Sequence, residues 1–182
     1  MITKYLPTFK VFEVGSLTGL RAGHVLSQQP AADSIKTVTF SGNSFIENGI
    51  IVGLNVDGEV ANWTKGTMFV HYTEELNTFI DELKYFAVPV EKKYDAQANT
   101  EDKMVDDFAS TYPRCIALYT GDSFCTNNYT YAENVNDTNA KYAKVVNGVL
   151  QLQSSNSGAQ FKATKSTLPT GETAYDFVFL GA

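Results

Sequence analysis

Apolar and polar residues alternate over much of this chain, the period of a half-buried strand rather than of a helix. FKVFEV at 9–14 sets Phe9 and Val11 opposite Phe12 and Val14, which predicts a first strand. IKTVTF at 35–40 reads similarly, with Val38 and Phe40 on one face and two threonines on the other. Between them, GLRAGHVLSQQPAAD carries Gly19, Gly23 and Pro30, so a connection with one short strand is expected there.

SFIENGIIVGLNVDGEV then contains Asn48-Gly49 and Asp57-Gly58, dipeptides that favour two-residue hairpin turns because they tolerate positive φ. A two-residue turn at the first would set Ile46 against Ile51 and Phe45 against Val52. One at the second would set Asn55 against Val60 and Leu54 against Ala61. Together they predict a β-meander. TMFVHYT at 67–73 continues as a strand, with Met68, Val70 and Tyr72 opposite Phe69 and His71.

The period then changes. In TEELNTFIDELKYFAVPV the apolar residues Leu76, Phe79, Ile80, Leu83 and Phe86 recur at helical spacing, predicting an amphipathic helix at about 74–86. Thr73 suits the N-cap, Glu74 and Glu75 the positive end, Lys84 the other end, and Pro89 the stop. Residues 91–103 are polar and read as a loop, and Met104, Val105 and Phe108 suggest a short second helix. YPRCIALYTGDSFCTNNYTY returns to strand composition. A third hairpin is expected around Asn147-Gly148, with Val145 facing Leu150, Ala143 facing Leu152, and Lys144 and Gln151 on the opposite face. TAYDFVFL sets Tyr175, Phe177 and Phe179 against Val178 and Leu180, a strand expected inside a sheet.

These elements describe a mainly β (α+β) chain: an antiparallel β-meander sandwich or barrel with one or two helices inserted mid-chain. A single β-rich domain over 1–182 is expected, with a division into two sub-units near 91–103 as the alternative. At 182 residues the chain is long enough to bury a core without metal or disulfide.

Composition narrows the function. Charged residues make up only 19%, and the net charge of −6 comes without a basic stripe, so neither nucleic acid nor an anionic membrane is an expected partner. Two cysteines, Cys115 and Cys125, are too few for a disulfide framework and are expected as free thiols. MITKYLPTFKVFEVG does not read as a signal peptide, and folding in a cytoplasm is expected. The sequons at Asn62, Asn128 and Asn136 then carry little weight.

Candidate chemistry is sparse. His24 and His71 stand outside any zinc-ligand spacing; His71 reads as a half-exposed imidazole in a sheet. No G-x-S-x-G elbow and no phosphate loop occurs, and Cys115 reads as a small buried hydrophobe. Asn55, Asp57 and Glu59 lack the full ladder of a calcium loop and fit a turn better. The adjacent pairs Glu74-Glu75 and Asp106-Asp107 splay apart on a helix. Aromatic residues, 13% of the chain, offer Trp63, Tyr129 and Tyr131 as sugar-stacking candidates, although most aromatics fall at core positions. No catalytic residue, cofactor site or metal site is assigned.

One pattern occurs twice. GNSFIEN at 42–48 and GDSFCTN at 121–127 share Gly-(Asn/Asp)-Ser-Phe-x-x-Asn, which reads as a turn entering a strand that Phe anchors in the core. Duplication and convergent turn chemistry both account for it. With KGTMFVHYTEELNTFIDEL and GLRAGHVLSQQP, the phrase YPRCIALYTGDSFCTNNY resembles β-rich virion structural proteins of tailed bacteriophages, over about 100 of the 182 residues. The resemblance implies a capsid decoration or head auxiliary protein, or a head-fibre base, with no active site. Its partners would be the major capsid protein, a head fibre and further copies of itself, and its place the capsid exterior of a virion made in the bacterial cytoplasm. A neck, tail or fibre-anchoring component is the alternative within that class. Outside it stand a carbohydrate-binding β module and, last, an enzyme with dispersed residues.

Overall fold

A computed structural model describes residues 10–40, 43–72, 112–169 and 171–182. Their strands form two large open sheets and one small ribbon. The first large sheet has seven strands in the order β1 (Phe12–Ser16), β9 (Ser123–Thr126), β14 (Thr173–Phe179), β13 (Phe161–Thr167), β11 (Tyr142–Val146), β12 (Val149–Gln153) and β10 (Tyr129–Tyr131). The second has five, β2 (Val25–Leu26), β8 (Cys115–Ala117), β7 (Phe69–His71), β5 (Ile51–Leu54) and β6 (Val60–Asn62). Among the described residues, β3 (Lys36–Phe40) and β4 (Asn43–Ile46) pair only with each other. The fold is mainly β, a pair of packed open sheets rather than a closed barrel.

Alternation explains how the sheets meet. Tyr175, Phe177 and Phe179 of β14 are buried while Asp176 between them is exposed, as expected for a strand with one face on a core. They join Phe12, Phe124, Phe161, Leu150 and Leu152 in one cluster with Ile51, Met68, Val70, Tyr72, Ile116 and Leu118 from in and beside the second sheet. That cluster draws on residues both before and after the 91–103 segment. Phe124 is its aromatic hub, stacked on Phe12 with centroids 5.0 Å apart and meeting Phe161 edge-on at 5.9 Å.

The central strands of the five-stranded sheet, β5, β7 and β8, are buried on both sides over most of their length. Ile51, Val70 and Ile116 face the first core, while Val52, Phe69, Cys115 and Ala117 enter a second core with Ile35, Ile46, Ile50 and Val60.

Several expected registers are present. In the Asn147-Gly148 hairpin, Val145 faces Leu150, Ala143 faces Leu152 and Lys144 faces Gln151. Met68, Val70 and Tyr72 share one side, opposite Phe69. The connection before β3 contains one short strand, β2, a helical turn, α1 (Thr18–Arg21), and a 3-10 turn at Asp33–Ile35.

Others are corrected. The Asp57-Gly58 hairpin pairs Leu54 with Val60 and Gly53 with Ala61, so its loop is one residue longer than expected. Asn55 is the cause: its Oδ1 accepts from the backbone N–H of Asp57 and of Glu59, both at 2.9 Å. Asn48-Gly49 does turn, but β4 pairs with β3, so Ile46 does not face Ile51. The backbone there has other partners: Gly49 N–H donates to His71 O and Ile51 N–H to Gly148 O. The meander is broken again at β7, which pairs with β5, because β6 takes its outer bonds from Pro30 and Ala32. β10 joins β12 in parallel, which makes the seven-stranded sheet mixed. The helix expected at 74–86, the loop at 91–103 and the second helix lie outside the described residues. Among the described residues no helix is long and apolar enough to cross a membrane.

Candidate functional site

Among the described residues, a polar cluster gathers around Asp137 on the seven-stranded sheet. The segment between β10 and β11 carries Asp137, β10 supplies Tyr131, β13 supplies Lys165 and β14 supplies Tyr175. Lys165 and Tyr175 are direct cross-strand partners, so the register aims both at the same carboxylate. Lys165 Nζ lies 2.6 Å from Asp137 Oδ2, Tyr175 donates to Oδ1 at 3.0 Å, and Tyr131 donates to the same oxygen. Tyr129 packs edge-on against both tyrosines.

The electrostatics of this cluster argue against acid–base work. The bond from Lys165, helped by those from Tyr131 and Tyr175, pulls Asp137 down to about 2. Burial, with the bond to Asp137 adding to it, pushes Tyr175 up to about 12, and Tyr131 is raised by the same causes. A proton shuttle needs a group that titrates near the working pH, and these three move away from neutrality together. The cluster ties the 132–141 connection to the sheet, with Val135 and Ala140 of that connection packed on the core.

The histidines sit apart. His71 is fully buried on β7, not half-exposed, because β7 lies inside a sheet covered on both faces. Its Nδ1 donates to Arg114 O at 3.0 Å, and Nε2 has no partner among the described residues. Burial lowers its pKa to about 4, so it is neutral at pH 7. Cys115, its cross-strand neighbour, is buried too, and burial raises its thiol far from the thiolate a nucleophile requires. His24 is exposed and pairs through Nδ1 with the Tyr119 hydroxyl. Among the described residues neither imidazole bonds to a carboxylate.

Asp122, from the second copy of the repeated pattern, is a buried carboxylate with a structural task. Its Oδ1 accepts from the N–H and hydroxyl of Thr18 at the start of α1, and its Oδ2 from Tyr119 N–H. Ser123 then opens β9 and Phe124 enters the core, the turn-and-strand arrangement expected of this stretch. The first copy lies in a different setting, with β4 in the two-stranded ribbon. Cys125 stands on the other large sheet from Cys115, and both are free.

The remaining candidates are also accounted for. Asn55 Nδ2 donates to Glu59 Oε2 at 2.9 Å, closing the hairpin on itself. Among the described residues no group of three or more His, Cys, Asp or Glu could hold a metal ion. Trp63 packs on the core and donates from Nε1 to Gly66 O at 3.0 Å. Tyr129 and Tyr131 stand at 84° to each other, so they form no flat platform for a sugar. Glu74-Glu75 and Asp106-Asp107 fall outside the described residues. The Asp137 cluster went unseen in the sequence because its members come from four separate segments and match no motif. Compared with known proteins, the chain matches no family model, no curated protein and no solved structure.

Proposed function

We propose that this chain is a non-enzymatic structural protein of a tailed-phage virion, binding the outside of the head as a decoration or auxiliary protein. The observation that carries the reading is where its chemically able side chains are engaged. Asp122 caps a helical turn, Asp137 ties down a connection, and His71 and Cys115 are packed as neutral groups inside a sheet. What remains for function is surface. Such a protein acts by burying area against the major capsid protein and against its own copies, so that opening the shell also requires breaking those contacts.

The test is co-sedimentation of the purified chain with empty shells assembled from the major capsid protein encoded in the same genome. Pelleting with the shells, together with a raised temperature of shell opening, is the expected result. A chain that stays in the supernatant overturns the reading. Electron-microscopic localisation then separates the head surface from the neck and tail.

A further inference from the structure

The seven-stranded sheet has an outer face as well as the face on the core, and its charges are arranged unevenly. Register places Glu13, Cys125 and Asp176 in one row across β1, β9 and β14. Lys162 on β13 and Lys144 on β11 share that face, since Lys162 is two residues from Thr164, the partner of Asp176, and pairs with Tyr142, two residues before Lys144. Glu13, Asp176 and Lys162 are exposed and Lys144 is half-buried. Among the described residues none of the four makes an ion pair. The acids therefore stand on the β1 side and the bases towards β11. The chain carries a net charge of −6, but this face is balanced, so two copies can approach here without the repulsion met elsewhere.

We propose that two copies of this chain associate face to face through this sheet about a two-fold axis, each laying its Lys144 and Lys162 against the partner's Glu13 and Asp176. An isologous contact suits a surface whose two halves carry opposite charge, because the same rotation satisfies both sets of pairs. Apolar contact is on hand between the charges: Val146 is exposed and Val149 and Val178 are half-buried. Leu168 and Val11 already cover Cys125 and Ala174 at one corner of this face, so the contact is smaller than a standard interface and depends on its charges. The inference rests on reading the chain as an assembly protein, but it concerns the free protein and not the shell.

Sedimentation equilibrium of the intact chain tests it. The wild type is expected to dimerise, with self-association falling as salt is raised. Lys144→Glu with Lys162→Glu, or Glu13→Lys with Asp176→Lys, is expected to weaken the dimer by about tenfold or more. An equimolar mixture of the two double variants is expected to recover the dimer mass. Circular dichroism checks that each variant folds, and the salt dependence of the wild type serves if one does not. A monomeric wild type, a dimer indifferent to salt, or doubles that associate as well as the wild type would each overturn the interface. A monomer that still pellets with shells removes this interface alone, and a charge-dependent dimer that ignores shells removes the head assignment alone.

Discussion

The side chain of Asn128 donates from Nδ2 to the backbone carbonyl of Asn48 at 2.8 Å, joining the end of the first similar stretch to the residue just past the second across 80 residues of chain. Both asparagines are buried, and the contact links the segment before β5 to the segment before β10. Thr126 extends the tie: its hydroxyl donates to Val11 O at 2.7 Å and accepts from Asn128 N–H at 3.1 Å. Removing the amide takes away a buried hydrogen bond. Asn128→Ala is expected to lower the free energy of unfolding by about 1–3 kcal/mol in urea titrations. A change under about 0.5 kcal/mol, the level of an ordinary surface substitution, would show that the tie holds nothing.

Gly148 and Gly58 make a matched pair. Both adopt φ of +78°, which disfavours any side chain, but their surroundings differ. Among the described residues nothing lies within 4 Å of where a Cβ on Gly58 would be, whereas one on Gly148 would collide with Asn62 Oδ1 and stand 3.0 Å from Ile50 Cγ1. Gly58→Ala is expected to destabilise by about 1–2 kcal/mol from backbone strain alone. Gly148→Ala should add about 1–3 kcal/mol for the overpacking. Equal losses in thermal melts of the two variants would refute the close approach of Asn62.

How much of this could be read beforehand depends on where each backbone group finds its partner. The hairpin at 147–148 was legible because turn and alternation are local and agree: Asn147 and Gly148 both take positive φ, and the pairs follow. At 48–49 the same dipeptide misled, since the partners of Gly49 and Ile51 lie on His71 and Gly148, far along the chain. At 57–58 the turn residues were right, but the side chain of Asn55, which propensity ignores, set the loop length. His71 looked half-exposed because alternation cannot say whether the second face of a sheet is covered. Asp137, Lys165 and Tyr175 gave no signal, because only the register of β13 on β14 brings the last two together.

His71 also predicts a pH dependence. Its folded pKa of about 4 lies below the ordinary 6.5, so the unfolded chain takes up the proton first as pH falls. Stability from this group is therefore complete above pH 6.5 and is lost as pH falls from there to 4. The loss is at most about 1.4 kcal/mol per pH unit, or about 3 kcal/mol in all. His71→Gln keeps a donor for Arg114 O and removes the titration. Urea midpoints measured across this window should flatten in the variant relative to wild type; parallel curves would count against a buried neutral imidazole.

At Asp137 the sign is the same but the window lies lower. Its pKa is depressed from 3.8 to about 2, so what it contributes is complete above 3.8 and is lost as pH falls towards 2. Asp137→Asn should speed amide exchange in the 132–141 connection. It should also bring the Tyr175 phenol below its present value of about 12, while burial, the larger cause, still holds it above the ordinary 10. A spectrophotometric tyrosine titration unchanged by the substitution would refute the tie.

β14 runs between β9 and β13, yet it is synthesised after every other described strand. A growing chain on the ribosome therefore holds β1 and β9 with one edge bare until Thr173–Phe179 emerges to fill the gap. Completing this sheet needs β14 to reach β9 about fifty residues back and β9 to reach β1 more than a hundred back, long-range closures that should be slow. During that interval the nascent chain offers a sticky strand edge to its neighbours, and a cell making many copies would need dilution or a chaperone to keep them apart.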